Sequence, residues 1–297
     1  MQSYPLPAQA LVESMRSAAR AAPARAFAFQ GAPGAFSHQA VLKVEPQALP
    51  MPCFSFEDAL QAVIDGDASR AVIPVENSLH GRVADVHFLL PESGLAIVGE
   101  TYVRVEHCLL GLPGASLAEV REVISHPQAL GQCRRHLKAM GLTPVAYADT
   151  AAAGAEVMAR GEPTLAAIAS RLAAELYGCE LLKDGLEDAD HNRTRFLVLA
   201  RSPAPLPEGA TAKTTLAFEV KNIPAALYKA LGGFATNGVN LTRLESHLSG
   251  GSFTAAQFLI DIIGAPEDPA VARALEELAF HSRWVRMLGT YPEAATT

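Results

Sequence analysis

A series of short apolar runs, each closed by a polar cluster from which a helix can start, limits most sharply how this chain can fold. The runs are Phe27-Ala28-Phe29, Ala71-Val72-Ile73-Pro74-Val75, residues 120–124, Pro144-Val145-Ala146-Tyr147, Leu165-Ala166-Ala167-Ile168 and Phe196-Leu197-Val198-Leu199-Ala200. Runs this short suit buried strands. Their alternation with helical spacing makes an α/β architecture the expected class. In open α/β sheets, chemistry gathers beyond the C-terminal ends of the strands.

The clusters therefore matter as much as the runs. The glycine-rich turn at 31–38 places Ser37 near a helix N-terminus, where free amides and the helix dipole favour a carboxylate or phosphate. Its spacing is not G-x-G-x-x-G, so it does not read as a dinucleotide site. Ser55 is placed to cap a helix, with Asp58 near the third helical position and Gly66 as the stop. The strand at 71–75 ends in Glu76-Asn77-Ser78-Leu79-His80-Gly81. The strand at 120–124 ends in Ser125-His126-Pro127-Gln128, and Pro127 opens a helix that carries Gln132 and Leu137 and stops at Gly141. Asp149-Thr150 caps an alanine-rich helix through Val157; Ser170 caps one that runs to Tyr177 and stops at Gly178. Ser78, Ser125, Thr150 and Ser170 each read first as N-caps. Delivered by successive strand ends, together with 191–196, they also read as one cleft. That last stretch, HNRTRF, sets two guanidiniums, an amide and a hydroxyl side by side, a donor-rich patch fitted to an anion with a hydroxyl beside it.

The chain of 297 residues allows about two domains. Its formal net charge of -7 and pI near 5.7 argue against nucleic acid or an anionic membrane as partner. An anionic substrate must then be held by a local pocket. No run approaches the ~18 apolar residues of a spanning helix. Cys53, Cys108, Cys133 and Cys179 lie far apart without metal-ligand spacing, which suggests reduced thiols in a cytoplasmic protein and no metal. Residues 1–24 are alanine-rich with Arg16 and Arg20. They could pass for a weak transit peptide, but lack a signal-peptide core and read as a poorly ordered or loosely helical leader. Residues 202–212, rich in proline, form a linker. Beyond it the order is βαββαβ: a strand at 214–220, a helix from Pro224 to near Gly238, a hairpin of 240–248 and 253–263 around Ser249-Gly250-Gly251, a helix at 270–280 and a strand at 284–288. That order fits a ferredoxin-like unit with no reactive constellation of its own.

GAPGAFSHQA (31–40), PVENS (74–78), SHPQALGQC (125–133), NRTRF (192–196) and NLTRLES (240–246) follow one another in order. With these motifs the chain resembles prephenate dehydratase followed by an ACT regulatory domain, over nearly everything after the leader. The resemblance implies a two-lobed catalytic domain like a periplasmic binding protein at 25–201, its second lobe at about 104–184. An ACT domain is implied at 213–291. It also implies conversion of prephenate to phenylpyruvate, water and carbon dioxide, a step of phenylalanine synthesis, without cofactor. Thr194 matches the family's essential threonine. Asn77, Ser125 and Gln132 match positions linked to activity or substrate binding. Ser37, Ser78, Thr150, Ser170 and Arg195 fall at matching cleft positions. His38, His126 and His191 lie beside the motifs, each a candidate acid or else structural or exposed.

ACT domains resemble amino-acid sensors that pair, so the resemblance implies a homodimer or homotetramer inhibited by L-phenylalanine. The effector site would fall on Ala225, Ala226, Leu227, Asn240, Glu245 and Ser246. Two departures bear on it. Ala225 stands where the family usually has glycine, and His247-Leu248 replace an arginine and a proline. Arogenate dehydratase is the alternative within the enzyme class, and a non-catalytic small-molecule sensor is the alternative outside it.

Overall fold

The computed structural model describes residues 4–248 and 256–295. It divides into two compact units, one of residues 1–83 and 101–196, the other of 84–100 and 197–297. In chain order the elements are α1 (Leu6–Ala21), β1 (Ala26–Gln30), α2 (Phe36–Val44), β2 (Leu49–Cys53), α3 (Phe56–Ile64), β3 (Arg70–Asn77), β4 (Gly81–Arg82), α4 (Ala84–Glu92), β5 (Ala96–Arg104) and β6 (Cys108–Gly111). They continue with β7 (Glu122–Ser125), α5 (Pro127–Gln132), α6 (Arg134–Ala139), β8 (Thr143–Ala146), α7 (Thr150–Arg160), β9 (Leu165–Ala169), α8 (Arg171–Tyr177), β10 (Glu180–Lys183) and β11 (Arg193–Ala200). The last are β12 (Ala212–Val220), α9 (Ala226–Thr236), β13 (Leu241–Leu248), β14 (Ala256–Ile263), α10 (Pro269–His281) and β15 (Ser282–Pro292).

Two sheets build the first unit's lobes. One runs β2-β1-β3-β11-β5 with β4 on β3, and β1 is parallel to both β2 and β3. The other runs β10-β6-β9-β7-β8, with β7 parallel to β8 and β9. The chain leaves the first sheet after β5 and returns to it at β11. That double crossing between two α/β lobes is the arrangement of a periplasmic-binding-protein-like domain. Ser55 forms the expected capping box with Asp58, and Ser170 caps α8, which Gly178 ends in the left-handed conformation.

Several elements differ from the sequence-based expectation. Residues 6–21 are not a loose leader. They form a full helix packed on β2 and α7, with Ala8 and Ala19 fully buried. Alanine has the highest helix propensity and lets backbones approach closely, so the stretch that looked featureless is a packing surface. The strand β2 carries Pro50 and Pro52, which disguise it; both are tolerated because it lies at the sheet edge. β3 continues through Asn77, because Glu76 and Asn77 pair with Arg82 and Gly81 of β4. The single helix expected from Pro127 is two short ones. The Gln132 carbonyl accepts from the Asp188 N–H at 2.7 Å, and the Asp188 carboxylate accepts from the Arg135 N–H at 3.0 Å. Asp188 thus satisfies one helix's end and the next one's start.

In the second unit β12, α9, β13, β14, α10 and β15 follow the βαββαβ order, and the antiparallel sheet runs β13-β14-β12-β15. This is a ferredoxin-like unit. Helices α9 and α10 cover one face over Leu216, Phe218, Phe258, Ile260 and Ile262. The turn expected at 249–251 lies outside the described residues. On the opposite face sits a buried charged layer that the sequence did not announce. Lys213 Nζ lies 2.8 Å from Glu100 Oε1, with side chains 5% and 0% exposed. Arg243 bonds His87 of α4 and reaches Glu245 at 3.0 Å, and Glu245 also contacts His87. Gly289 is required here, since a Cβ would stand 2.1 Å from the Ile97 carbonyl oxygen.

Candidate functional site

The end of β3 and the start of β11 lie side by side, and Asn77 is the residue that joins them. Its amide nitrogen donates to Thr194 Oγ1 at 3.0 Å, to Asn192 Oδ1 at 2.8 Å and to the Arg193 carbonyl at 3.2 Å. Its oxygen accepts the N–H groups of Leu79 and His80 at 3.0 and 3.1 Å, folding the turn back over the strand end. Because Thr194 accepts from Asn77, its own hydrogen points elsewhere, and it has no acceptor among the described residues. Ser78 locks the same seam, donating to the His191 carbonyl at 3.1 Å and accepting from the Arg193 N–H at 2.9 Å.

The break between α5 and α6 leaves Gln132 at the end of a helix and facing this cluster. Its amide nitrogen is 3.1 Å from His80 Nδ1 and its oxygen 2.6 Å from His107 Nε2. His107 is buried, and that burial lowers its pKa, against the pull of Gln132 and Glu187, so the ring is neutral. Its edge meets the ring of Phe36, the first residue of α2, at 5.6 Å.

Phe36 leads to a second group around the glycine-rich turn. Ser37 is buried in the first turn of α2. Ser170 Oγ donates to the Gly34 carbonyl at 2.5 Å and accepts from the Ala173 N–H at 3.1 Å. Gly34 has φ +90°, and a Cβ there would stand 2.6 Å from the Ala173 Cα, so only glycine fits. Thr150 is the first residue of α7, whose cap is Asp149, accepting from the Ala152 N–H at 2.8 Å. The start of α2 has no side-chain cap and supplies free amides at this turn, whereas Asp149 occupies the start of α7.

The expected residues thus fall into these two groups, Asn77, Ser78, Gln132 and Thr194 in one, Ser37, Thr150 and Ser170 in the other. Two are not brought in. Ser125 is fully buried, and its hydroxyl donates to the Ile168 carbonyl at 2.7 Å, clamping β7 to β9. Arg195 is buried one residue after Thr194 on a strand, so the two side chains leave opposite faces of the sheet. The expected side-by-side patch of guanidiniums and hydroxyl is divided by that alternation. The histidines beside the motifs are likewise elsewhere. His38 stacks on Phe29 and accepts the Gly34 N–H, and burial pushes it down to about 4. His126 caps α5, and His191 is exposed beside Asp190. The histidines that do reach the cluster are His80 and His107. His80 sits in the motif's own turn, while His107 carries no local signal. Asn192 is buried with an amide nitrogen that lacks a partner, an unspent donor beside Thr194.

In the second unit, Ala225 caps α9 at φ 62°, the one non-glycine residue with positive φ among those described. Ala226 is buried and Leu227 packs into the core under α9. Asn240 and Ser246 are exposed. Glu245 is held by Arg243 and His87, which outweigh burial and lower its pKa.

The family model described as prephenate dehydratase matches residues 27–204. A bifunctional N-acyl-homoserine lactone acylase/prephenate dehydratase of Komagataeibacter europaeus is 52% identical over 269 residues, spanning 90% of this chain and 96% of the relative. A chloroplastic arogenate dehydratase/prephenate dehydratase of Arabidopsis thaliana is 37% identical over 278 residues, spanning 89% and 71%. The solved prephenate dehydratase of Arthrobacter aurescens in complex with L-Phe superposes with a TM-score of 0.84 at 32% identity, covering 92% and 91%. Motifs, lobes and relatives agree: the chain belongs to the prephenate dehydratase family.

Proposed function

We propose that the protein converts prephenate to phenylpyruvate, water and carbon dioxide as a hydro-lyase of phenylalanine synthesis. The observation that carries this is Thr194, fixed as an acceptor by Asn77 with its hydrogen uncommitted. Prephenate bears two carboxylates and a ring hydroxyl, and losing one carboxylate with the hydroxyl makes an aromatic ring. Aromatisation drives the reaction, so neither a strong nucleophile nor an electron sink is needed. What helps is a donor aimed at the departing oxygen and a carboxylate held in poor solvation, since its charge disperses as carbon dioxide forms. Thr194 is the donor. The uncapped amides at the start of α2, with Ser37 and Thr150, bind carboxylate, while Ser170 holds the glycine-rich turn in place. Ser125 and Arg195, at matching family positions, support the strands beneath.

The C-terminal unit acts as an ACT domain that binds L-phenylalanine, which the solved relative in complex with L-Phe supports; the enzyme works as a cytoplasmic homo-oligomer. Arogenate dehydration is the second reading, supported by the plant relative's name. The lactone acylase named for the bacterial relative is a further activity to assay. Purified protein is given prephenate, with and without phenylalanine, and phenylpyruvate is followed by its alkaline absorbance; arogenate and an acyl-homoserine lactone are given in separate arms, where phenylalanine and free homoserine lactone are followed by chromatography. Phenylpyruvate from prephenate, falling with added phenylalanine, is the expected result. No product from prephenate in a folded sample overturns it.

A further inference from the structure

We propose that His80 is the general acid that protonates the departing hydroxyl, with Gln132 and the buried His107 behind it setting which ring nitrogen carries the proton. This rests on the dehydratase reading above. In that reaction the C–C bond to the leaving carboxylate breaks and its electron pair enters the ring. The C–O bond breaks, its pair leaves with oxygen, and that oxygen takes one proton to become water. The balance needs one proton per turnover from a group that solvent can recharge. A threonine is too weak an acid to supply it, and the amides of Asn77 and Gln132 have none to give.

Two titratable side chains are hydrogen-bonded into the Thr194–Asn77–Gln132 cluster. His107 is only 2% exposed and held neutral, so it cannot exchange with solvent. His80 is exposed. Its Nδ1 turns inward, 3.2 Å from Asn77 Oδ1 and 3.1 Å from Gln132 Nε2. Asn77 therefore carries Thr194 on its nitrogen and His80 on its oxygen, which sets the two on one amide. The Nε2 of His80 has no partner among the described residues and is the end free to meet a ligand.

The cluster also has two polarities. With the Gln132 nitrogen toward His80, Nδ1 accepts from that amide. With the amide turned, Gln132 Oε1 and Asn77 Oδ1 can both accept from an Nδ1–H, which leaves Nε2 to face the ligand. The turn requires His107 to accept on Nε2 and to carry its hydrogen on Nδ1. That buried Nδ1 has no partner, so no fixed bond prevents the ring from holding its proton on either nitrogen. Other charged groups on the surrounding elements are Glu76 and Arg82 on the β3–β4 pair, Glu187 and Asp188 before β11, and Asp190, His191 and Arg193 on the segment tied down by Ser78.

The test is kcat and KM for prephenate across pH 5–9 in wild type, His80→Gln and His80→Ala, the last with and without imidazole. Loss of a general acid should lower kcat about a hundredfold, with KM within about threefold. The alkaline fall of kcat should vanish in both variants, and imidazole should restore part of the rate to His80→Ala. A kcat within threefold of wild type overturns the assignment. So does a low kcat that keeps the alkaline fall and ignores imidazole, which would make His80 a positioning residue only. His80→Gln retains a polar side chain on the turn and decides the matter if His80→Ala fails to fold. Wild type inert toward both prephenate and arogenate would instead defeat the dehydratase reading, and this assignment with it.

Discussion

The two polar layers of this protein are built on opposite principles. Around Thr194 the side chains are amides, a hydroxyl and imidazoles, joined by hydrogen bonds yet left with unused capacity at Thr194, Asn192 and His107. Across the C-terminal sheet the buried groups are charged and matched, Lys213 with Glu100, and Arg243 with Glu245 and His87. A neutral cluster with spare donors can receive an anion without first breaking an ion pair. A compensated charged layer cannot, since removing either partner strands a buried charge. The first is arranged to bind and the second to hold.

That contrast can be attacked directly. Lys213→Met should lower folding stability by about 4 kcal/mol, because Glu100 is left uncompensated. Adding Glu100→Leu should restore most of it, as read by denaturant unfolding. If the single variant is as stable as wild type, the layer is not held by its charges. Thr194→Val should do the reverse, leaving the unfolding curve in place while kcat on prephenate falls about a hundredfold, near 3 kcal/mol. Full activity in that variant would remove Thr194 from the chemistry.

The pH dependence separates the two units in the same way. Burial pushes His38, which accepts the Gly34 N–H beneath the glycine turn, down to about 4. An unfolded histidine titrates near ~6.5, so the unfolded chain takes up this proton first as pH falls. The stability is complete above pH ~6.5 and is lost towards pH ~4, by about 3 kcal/mol. His38→Gln, which keeps an acceptor, should flatten that window. Glu245 has a lowered pKa and acts the other way round in kind: its charged form is the stabilised one, and its share disappears only in the carboxylate range. A His38→Gln curve parallel to wild type between those values would show that His38 is not the source. The smallest effect is expected at Ala225, whose left-handed φ of 62° carries a steric cost that glycine lacks. Ala225→Gly should stabilise by about 1 kcal/mol, visible as a small rise in melting temperature.

What could be read from the chain was local. The Ser55–Asp58 capping box, the Ser170 cap, the glycine stop at Gly178 and the βαββαβ order all depend on residues within a few positions of one another. The family motifs were legible for the same reason, as short words in a fixed order. Even the leader's alanines carried their helix propensity openly, although the surface they pack against was hidden.

Tertiary structure alone decided what those words do. Asn77 meets Thr194 across 117 positions of sequence, and Gln132 meets His80 across 52. No spacing rule reports such bonds, because they exist only once β3, α5 and β11 have been brought together. The period of two along β11 divided Thr194 from Arg195, and Asp188 split one expected helix to turn Gln132 inward. His107 and the buried charges of the C-terminal sheet likewise look ordinary in the chain. A side chain's burial and partners are set by the fold around it, and these are what separate a reactive group from a structural one.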